Sequence, residues 1–350
     1  MIPIQNLYYM LAYAFRVLHE RRYQGFVSEP FPNAGELLAA ILIREVSGQL
    51  KQGMGRDYLS RSEPLSAVRG KLDLSASLKD QTLLRRQLVC TYDDFSVNTC
   101  LNQVLKTTLC TLLRSDLSAP RKKEVRRLLL YFGEVDTQDP RTISWHFHYH
   151  RGNQRYQLLM FVCRLILNGL LQAAGEGSRQ LDYCDEQSMS RLYEKFLLSY
   201  YRRHFPQLNA RAAQIFWQLE DGMRDMLPVM RSDITLSHGN RVLIIDAKYY
   251  AHTTQVYYDI HTIHSHNLYQ IFTYVKNKAA AHSTPESVSG LLLYARTDDA
   301  IQPNGTYQMS GNKISVRTLD LNAPFSDIAL QLDGIAVEHF GATLAKFRIN

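Results

Sequence analysis

The sequence predicts an α/β fold: a mixed sheet flanked by helices in the second half of the chain, preceded by an α+β N-terminal domain. Three observations carry this. From residue 187 the order runs helix, three strands, helix, strand. Ser237-His238-Gly239-Asn240 is a hairpin signal, a Gly-Asn pair flanked by apolar alternation. The apolar run Val242 to Ile245 has the length and composition of a buried strand, and it ends abruptly in Asp246-Ala247-Lys248.

Taken in order, residues 5–20 show helical spacing, with Leu7, Met10, Leu11, Ala14 and Phe15 on one face. A second helix is expected over 34–50, where Leu37, Leu38, Ile41, Leu42 and Val46 recur. Gly53, Gly55, Pro64 and Gly70 break up 53–74, which reads as one or two hairpins projecting from a helical body. A strand at 87–92 precedes helices at 97–114, capped by Ser96 or Asn98, and 120–131, started by Ser118 and Pro120. Residues 142–150 alternate like a strand, and 154–173 form a long apolar helix. Gly175, Gly177 and Ser178 mark the best boundary, giving domains 1–178 and 179–350. The second half then reads as helix 188–204, strands 213–219, 228–236 and 241–249, helix 266–280, strand 290–294, a hairpin at 306–318 and a last helix at 325–346.

The 350 residues are 45% hydrophobic and 21% charged, which is ordinary globular composition with enough apolar residues for a sizeable core. A net charge of +7 tilts the expected partner towards a polyanion. The five cysteines are odd in number and none is spaced as CxxC, so a disulfide framework and a zinc ribbon are disfavoured, and reduced, buried thiols are expected. The N-terminus lacks the basic residues and cleavage site of a signal peptide. The stretch Leu158 to Leu171 is interrupted by Arg164 and Asn168 and reads as too short and polar to span a bilayer. A cytoplasmic protein with no membrane partner is therefore expected. No P-loop, GxGxxG or GxSxG pattern occurs, which disfavours an intrinsic NTPase or a serine hydrolase.

The chemistry concentrates in residues 231–250. Side chains alternate across a strand, so Asp246 and Lys248 point to the same side. Asp233 lies on the preceding strand, and the hairpin brings it across from Asp246. Two carboxylates and an ammonium then converge at one end of a sheet. Phosphodiester hydrolysis needs such a set: Mg²⁺ takes one or two carboxylates plus waters, so Asp233 and Asp246 are the expected metal ligands. The metal polarises the phosphoryl oxygen and activates a water, which Lys248 would orient or deprotonate. The plainer alternative is an internal Asp–Lys ion pair. The upstream Asp233 and the hairpin spacing weigh against it, because a buried strand ending in charges is costly without a purpose.

Glu194, on the preceding helix, is either a third carboxylate of the metal shell or part of a solvated face. Gln270 and Tyr274, four apart, share a helix face. They either hold a phosphate or Lys248 in place, or simply pack. His261, His264 and His266, like His146, His148 and His150, have no acidic or cysteine partner at ligand spacing, and surface or phosphate-contact roles are preferred to a metal site.

Ser232-Asp233 with Ile244-Ile245-Asp246-Ala247-Lys248-Tyr249-Tyr250 resembles the active-site strand pair of the McrC family, the nuclease subunits of McrBC-type modification-dependent (type IV) restriction systems. Further landmarks in the family's order are IPIQNLYYMLAYAF at the start, AVRGKLDL at 67–74, YDDFSVNTCLNQVLKTTL at 92–109, HYHRGNQRY at 148–156, LYEKFL at 192–197 and HSHNLYQIFTY at 264–274. The resemblance implies a PD-(D/E)xK restriction-endonuclease-like fold for 179–350, with Asp233, Asp246 and Lys248 catalytic. Gln270 and Tyr274 match a QxxxY pattern of related nucleases. It further implies Mg²⁺-dependent cleavage of methylated or otherwise modified double-stranded DNA. The N-terminal domain would engage a McrB-like AAA+ GTPase ring and stimulate its hydrolysis, with the 53–74 region part of the contact. The alternative expectation is a non-cleaving subunit that grips DNA and serves to activate the partner NTPase.

Overall fold

The computed structural model describes residues 2–16, 29–175, 185–257 and 260–341. The expected helical tails 17–20 and 342–346, the boundary residues Gly177 and Ser178, and Cys184 lie outside the described residues. The chain opens with helix α1 (Ile4–Ala14) and divides into two compact units, Phe31–Cys184 on the one hand and Met1–Pro30 with Asp185–Asn350 on the other.

The unit Phe31–Cys184 holds α2 (Ala34–Gln52), β1 (Asp57–Leu65), β2 (Lys71–Leu72), α3 (Leu74–Lys79), β3 (Leu88–Ser96), α4 (Cys100–Arg114), α5 (Ala119–Leu129) and α6 (Tyr156–Gly175). Asn33 caps α2 by accepting the Glu36 N–H at 2.8 Å. The cap of α4 is Thr99, not Ser96 or Asn98: its hydroxyl accepts from Asn102 N, while Ser96 accepts from Asn98 N in the preceding turn. Ser118 stands at the start of α5, but its hydroxyl donates to Glu36 instead of capping.

The 53–74 region is not a self-contained hairpin. β1 pairs along nine residues with β3, from Asp57 opposite Ser96 to Leu65 opposite Leu88, and β2 joins the other edge of β3. Gly70 makes this path possible. Its φ is +70°, and a Cβ there would lie 2.3 Å from Thr91 O. Residues 142–150 alternate as expected but pair with no strand among the described residues. Trp145, Phe147 and Tyr149 are half-buried and touch edge to face, whereas His146, His148 and His150 are exposed. The pattern is that of a strand, and only the ladder is missing.

The apolar run of α6 reaches Tyr156–Ala173, longer than expected and sufficient by length and composition to cross a bilayer, but 67% of it is buried inside the fold, as befits a core helix. Tyr156 donates to Asn102 Oδ1 at 2.7 Å, and its phenol oxygen accepts from Gly55 N at 3.1 Å. The four described cysteines are free; Cys90 and Cys163 are buried, Cys110 is half-buried, and Cys100 is exposed, contrary to the expectation for all of them.

The second unit contains α1, α7 (Glu186–His204), β4 (Gln214–Ile215), β5 (Met230–Arg231), β6 (Ile234–His238), β7 (Arg241–Lys248), β8 (Thr254–Tyr257), β9 (Ile260–Ile263), α8 (Ser265–Ala280), β10 (Val288–Ala295), β11 (Gly305–Met309), β12 (Asn312–Leu319) and α9 (Phe325–Phe340). A five-stranded mixed sheet has the order β11-β12-β10-β7-β6. β7, β10 and β12 are parallel, and β6 and β11 close the two edges antiparallel. Two sequence strands shrink. The strand at 213–219 is only β4, and 228–236 splits into β5 and β6 at Ser232-Asp233. The β8–β9 hairpin was not anticipated.

The expected domain division differs in two respects: the boundary falls between Cys184 and Asp185, not after 178, and α1 belongs with the second half. Tyr13 meets Phe196, Tyr200 and Phe325 in an aromatic cluster, and Asn6 donates to Leu321 O at 2.7 Å and Ala323 O at 2.8 Å. Those contacts satisfy a buried amide and bury the apolar face of α1. The face of the sheet bearing Val242, Ile244, Leu292 and Ile314 packs on α8 through Ile271, Tyr274 and Val275. Gly290 lets α8 approach closely, since a Cβ there would lie 2.8 Å from Val275 and 2.9 Å from Ile271.

Candidate active site

The hairpin sets the register. Gly239 takes φ +54° in the two-residue turn, and Ile234 lies opposite Ile245. One step further puts Asp233 across from Asp246. There the edge strand leaves the ladder. Ser232 N donates to Ala213 O at 3.0 Å and Thr235 N to Arg211 O at 2.7 Å, which holds the kinked backbone on both sides of Asp233. Asp233 Oδ2 in turn accepts the Ala247 N–H at 2.8 Å.

Asp246 and Lys248 share the α8 face of β7 with Val242 and Ile244, as strand alternation requires. Asp246 is 1% exposed, and Lys248 Nζ stands 2.7 Å from its Oδ2. The ammonium also donates to Gln270 Oε1 at 3.0 Å, and Gln270 Nε2 donates to Tyr274 Oη at 2.9 Å. Of the two readings of Gln270 and Tyr274, the geometry matches the one in which they hold Lys248. Glu194 is half-buried on α7, accepts from Ser190 Oγ at 3.3 Å, and lies near enough to Lys248 and Asp246 to interact with their charges.

The electrostatics follow from crowding charge in a dry place. Burial, then the Asp246 and Glu194 carboxylates, push Asp233 up to about 8, against the pull of the Ala247 N–H and Lys248. Burial also raises Asp246, partly offset by Lys248. For Lys248, burial works to lower the pKa, but the Asp246 carboxylate outweighs it and the net direction is up. Burial raises Glu194 too, opposed by Ser190 and Lys248.

This set fits a hard divalent cation. Two carboxylates that burial and mutual repulsion hold towards the neutral form would ionise beside a cation. Among the described residues no cluster of three or more His, Cys, Asp or Glu has metal-binding geometry; a pair of carboxylates such as Asp233 and Asp246 is the kind of donor set that suits Mg²⁺ with its retained waters. His146, His148 and His150 belong to no such cluster among the described residues. His264 and His266 rings lie 5.7 Å apart at the start of α8, and the side chain of His261 lies outside the described residues.

Three residues of the site escaped the sequence reading. Asn267 is fully buried, accepts from Tyr250 Oη at 3.2 Å, and donates to Tyr294 Oη at 2.9 Å. Tyr294 is the β10 partner of Lys248. The available signal was spacing: Asn267, Gln270 and Tyr274 follow i, i+3, i+7 and share one helix face.

The chain is 28% identical over 347 residues to an Escherichia coli (strain K12) protein described as "Type IV methyl-directed restriction enzyme EcoKMcrBC", covering 97% of this chain and 98% of that one. Among solved structures it is similar to a refined half-complex from a tetradecameric assembly of Thermococcus gammatolerans McrB AAA+ hexamers with bound McrC, at 18% identity and a TM-score of 0.45 over 95% of this chain and 76% of that one. A second, a Thermococcus gammatolerans McrBC complex, matches 57% of this chain and 58% of that one at 18% identity with a TM-score of 0.41. The family model described as "McrBC 5-methylcytosine restriction system component" matches residues 4–295, five-sixths of the sequence and all of Asp233, Asp246, Lys248 and Gln270, and the chain belongs to that family.

Proposed function

We propose that this chain is the DNA-cleaving subunit of a modification-dependent restriction system, a Mg²⁺-dependent endodeoxyribonuclease of PD-(D/E)xK type acting in the cytoplasm. The observation that carries the reading is the convergence of Asp233, Asp246 and Lys248 at the end of β7, with Lys248 braced by Gln270. A purely structural Asp–Lys pair would not need a second carboxylate pinned beside it at a cost in repulsion.

Asp233 and Asp246 would hold the cation. When bound, it neutralises the scissile phosphate and acidifies a water. Lys248, kept charged by Asp246, places a positive charge where the pentavalent phosphorus gathers negative charge. Gln270 limits the ammonium to one direction, so little reorganisation is needed during reaction. Ala247 N–H fixes the Asp233 carboxylate in the same way.

Family membership supports a place in a restriction complex, and the resemblance of the sequence landmarks supports docking on a McrB-like AAA+ GTPase whose hydrolysis the chain stimulates. Double-stranded DNA carrying a modified base is the proposed substrate. The test is cleavage of methylated and unmethylated duplex DNA with Mg²⁺, by this chain alone and with the AAA+ GTPase and GTP. Cutting of methylated DNA only in the complete mixture is expected. No cutting in any mixture, with GTP hydrolysis still stimulated, would favour a regulatory subunit.

A further inference from the structure

Helix α5 turns a face of cations to solvent. Lys123, Arg126 and Arg127 stand at i, i+3 and i+4, all exposed, and Val125 and Leu128 on the opposite side are buried. Lys122 flanks the face, and exposed Leu130 and Tyr131 extend it. Arg121 differs from its neighbours. It is paired with Glu36 at 3.5 Å and with Glu124 at 3.3 Å, which engages the helix's own carboxylate. Lys122, Lys123, Arg126 and Arg127 form no ion pair among the described residues.

A helix that is merely solvated mixes charges of both signs along its exposed side. Arg126 and Arg127 have a local reason to be basic, since they lie in the last turn and complement the negative end of the helix dipole. Lys122 and Lys123, the fourth and fifth residues of α5, have no such end to complement, and neither has an ion-pair partner among the described residues.

We propose that the outer face of α5 is a contact for the phosphate backbone of duplex DNA, in the unit that does not carry Asp233 and Asp246. The inference rests on DNA being the substrate. Neighbouring side chains on this face are about 5–6 Å apart, and long, mobile Lys and Arg can reach successive phosphates without reading bases. Such a contact would hold DNA independently of the carboxylates and would be indifferent to sequence.

The test uses the full chain in EDTA, which prevents cutting, with a fluorescent 30-base-pair duplex and anisotropy read from about 50 to 200 mM KCl. Lys123→Gln/Arg126→Gln/Arg127→Gln is compared with wild type, and thermal melting confirms that this exposed triple change leaves the fold intact. The expected result is at least about a tenfold loss of affinity at low salt and a slope of log affinity against log salt shallower by about 2–3, as for three lost phosphate contacts. Equal affinity and slope would overturn the proposal, as would a wild-type chain that binds anionic vesicles or an acidic protein but no duplex. The nuclease reading stands or falls separately, on cleavage by Asp246→Ala.

Discussion

Asp233 accepts a hydrogen bond from the backbone N–H of Ala247 at 2.8 Å, fourteen residues along the chain and between Asp246 and Lys248 on β7. The bond ties the kink of the edge strand to the central strand. It places the second carboxylate beside the first without relying on a flexible side chain.

Asp233→Asn keeps that bond, because the amide oxygen still accepts, and removes the cost of burying an ionisable carboxyl beside Asp246. Metal-free protein should gain about 1 kcal/mol of stability near neutral pH, while cleavage by the assembled system falls about a thousandfold. Urea denaturation in EDTA and single-turnover cleavage measure the two effects. Loss of stability together with loss of cleavage would mark Asp233 as structural.

The same carboxylate gives a pH dependence. Its folded pKa of about 8 lies above its unfolded value of about 3.9. Its contribution to stability is therefore complete below about pH 4, and it is lost as pH rises through the folded value of about 8. In EDTA the denaturation midpoint of wild type should fall over that window more steeply than that of Asp233→Asn. Mg²⁺ should reduce the fall, since a cation stabilises the ionised pair. Parallel profiles with and without Mg²⁺ would argue against a cation at this site.

Gln270→Ala frees the Lys248 ammonium from its second partner. The maximal cleavage rate should fall about 10- to 100-fold, the usual cost of losing a group that orients an active-site residue, with little change in the DNA concentration needed for half-maximal rate. Tyr274→Phe should cost less, because Gln270 still holds Lys248. Equal effects of the two changes on DNA affinity would instead favour a phosphate-holding role.

Gly290→Ala tests the placement of α8. The added methyl would meet Val275 and Ile271 at under 3 Å, so α8 must shift or the side chains must leave their rotamers. A loss of about 1–3 kcal/mol is expected, with a drop in cleavage because Gln270 moves with the helix. An unchanged melting temperature would show that the close packing is not required.

Much of this was legible in the sequence because the decisive patterns are local. Alternation alone puts Asp246 and Lys248 on one face, and Gly239-Asn240 sets the register that brings Asp233 across. The kink at Ser232-Asp233 was not legible, since it depends on bonds from Ala213 and Arg211, about twenty residues earlier. Nor was the pairing of β1 with β3 across the intervening β2, which only contacts distant in sequence decide. Residues 142–150 illustrate the converse: half-buried Trp145, Phe147 and Tyr149 generate a strand pattern without a strand to pair with. Asn267 was hidden because an asparagine in a helix is ordinarily a surface residue, and its two tyrosine partners come from distant segments, the loop after β7 and strand β10.

The most direct test of the central claim is a single reaction containing the chain, the proposed AAA+ GTPase partner, GTP, Mg²⁺ and methylated duplex DNA, with strand cleavage and GTP hydrolysis read together for wild type and Asp246→Ala. The account predicts that Asp246→Ala abolishes cleavage and leaves the stimulation of GTP hydrolysis intact. Cleavage by Asp246→Ala at the wild-type rate would show that the carboxylates at the end of β7 are structural and that the chain cuts elsewhere or not at all.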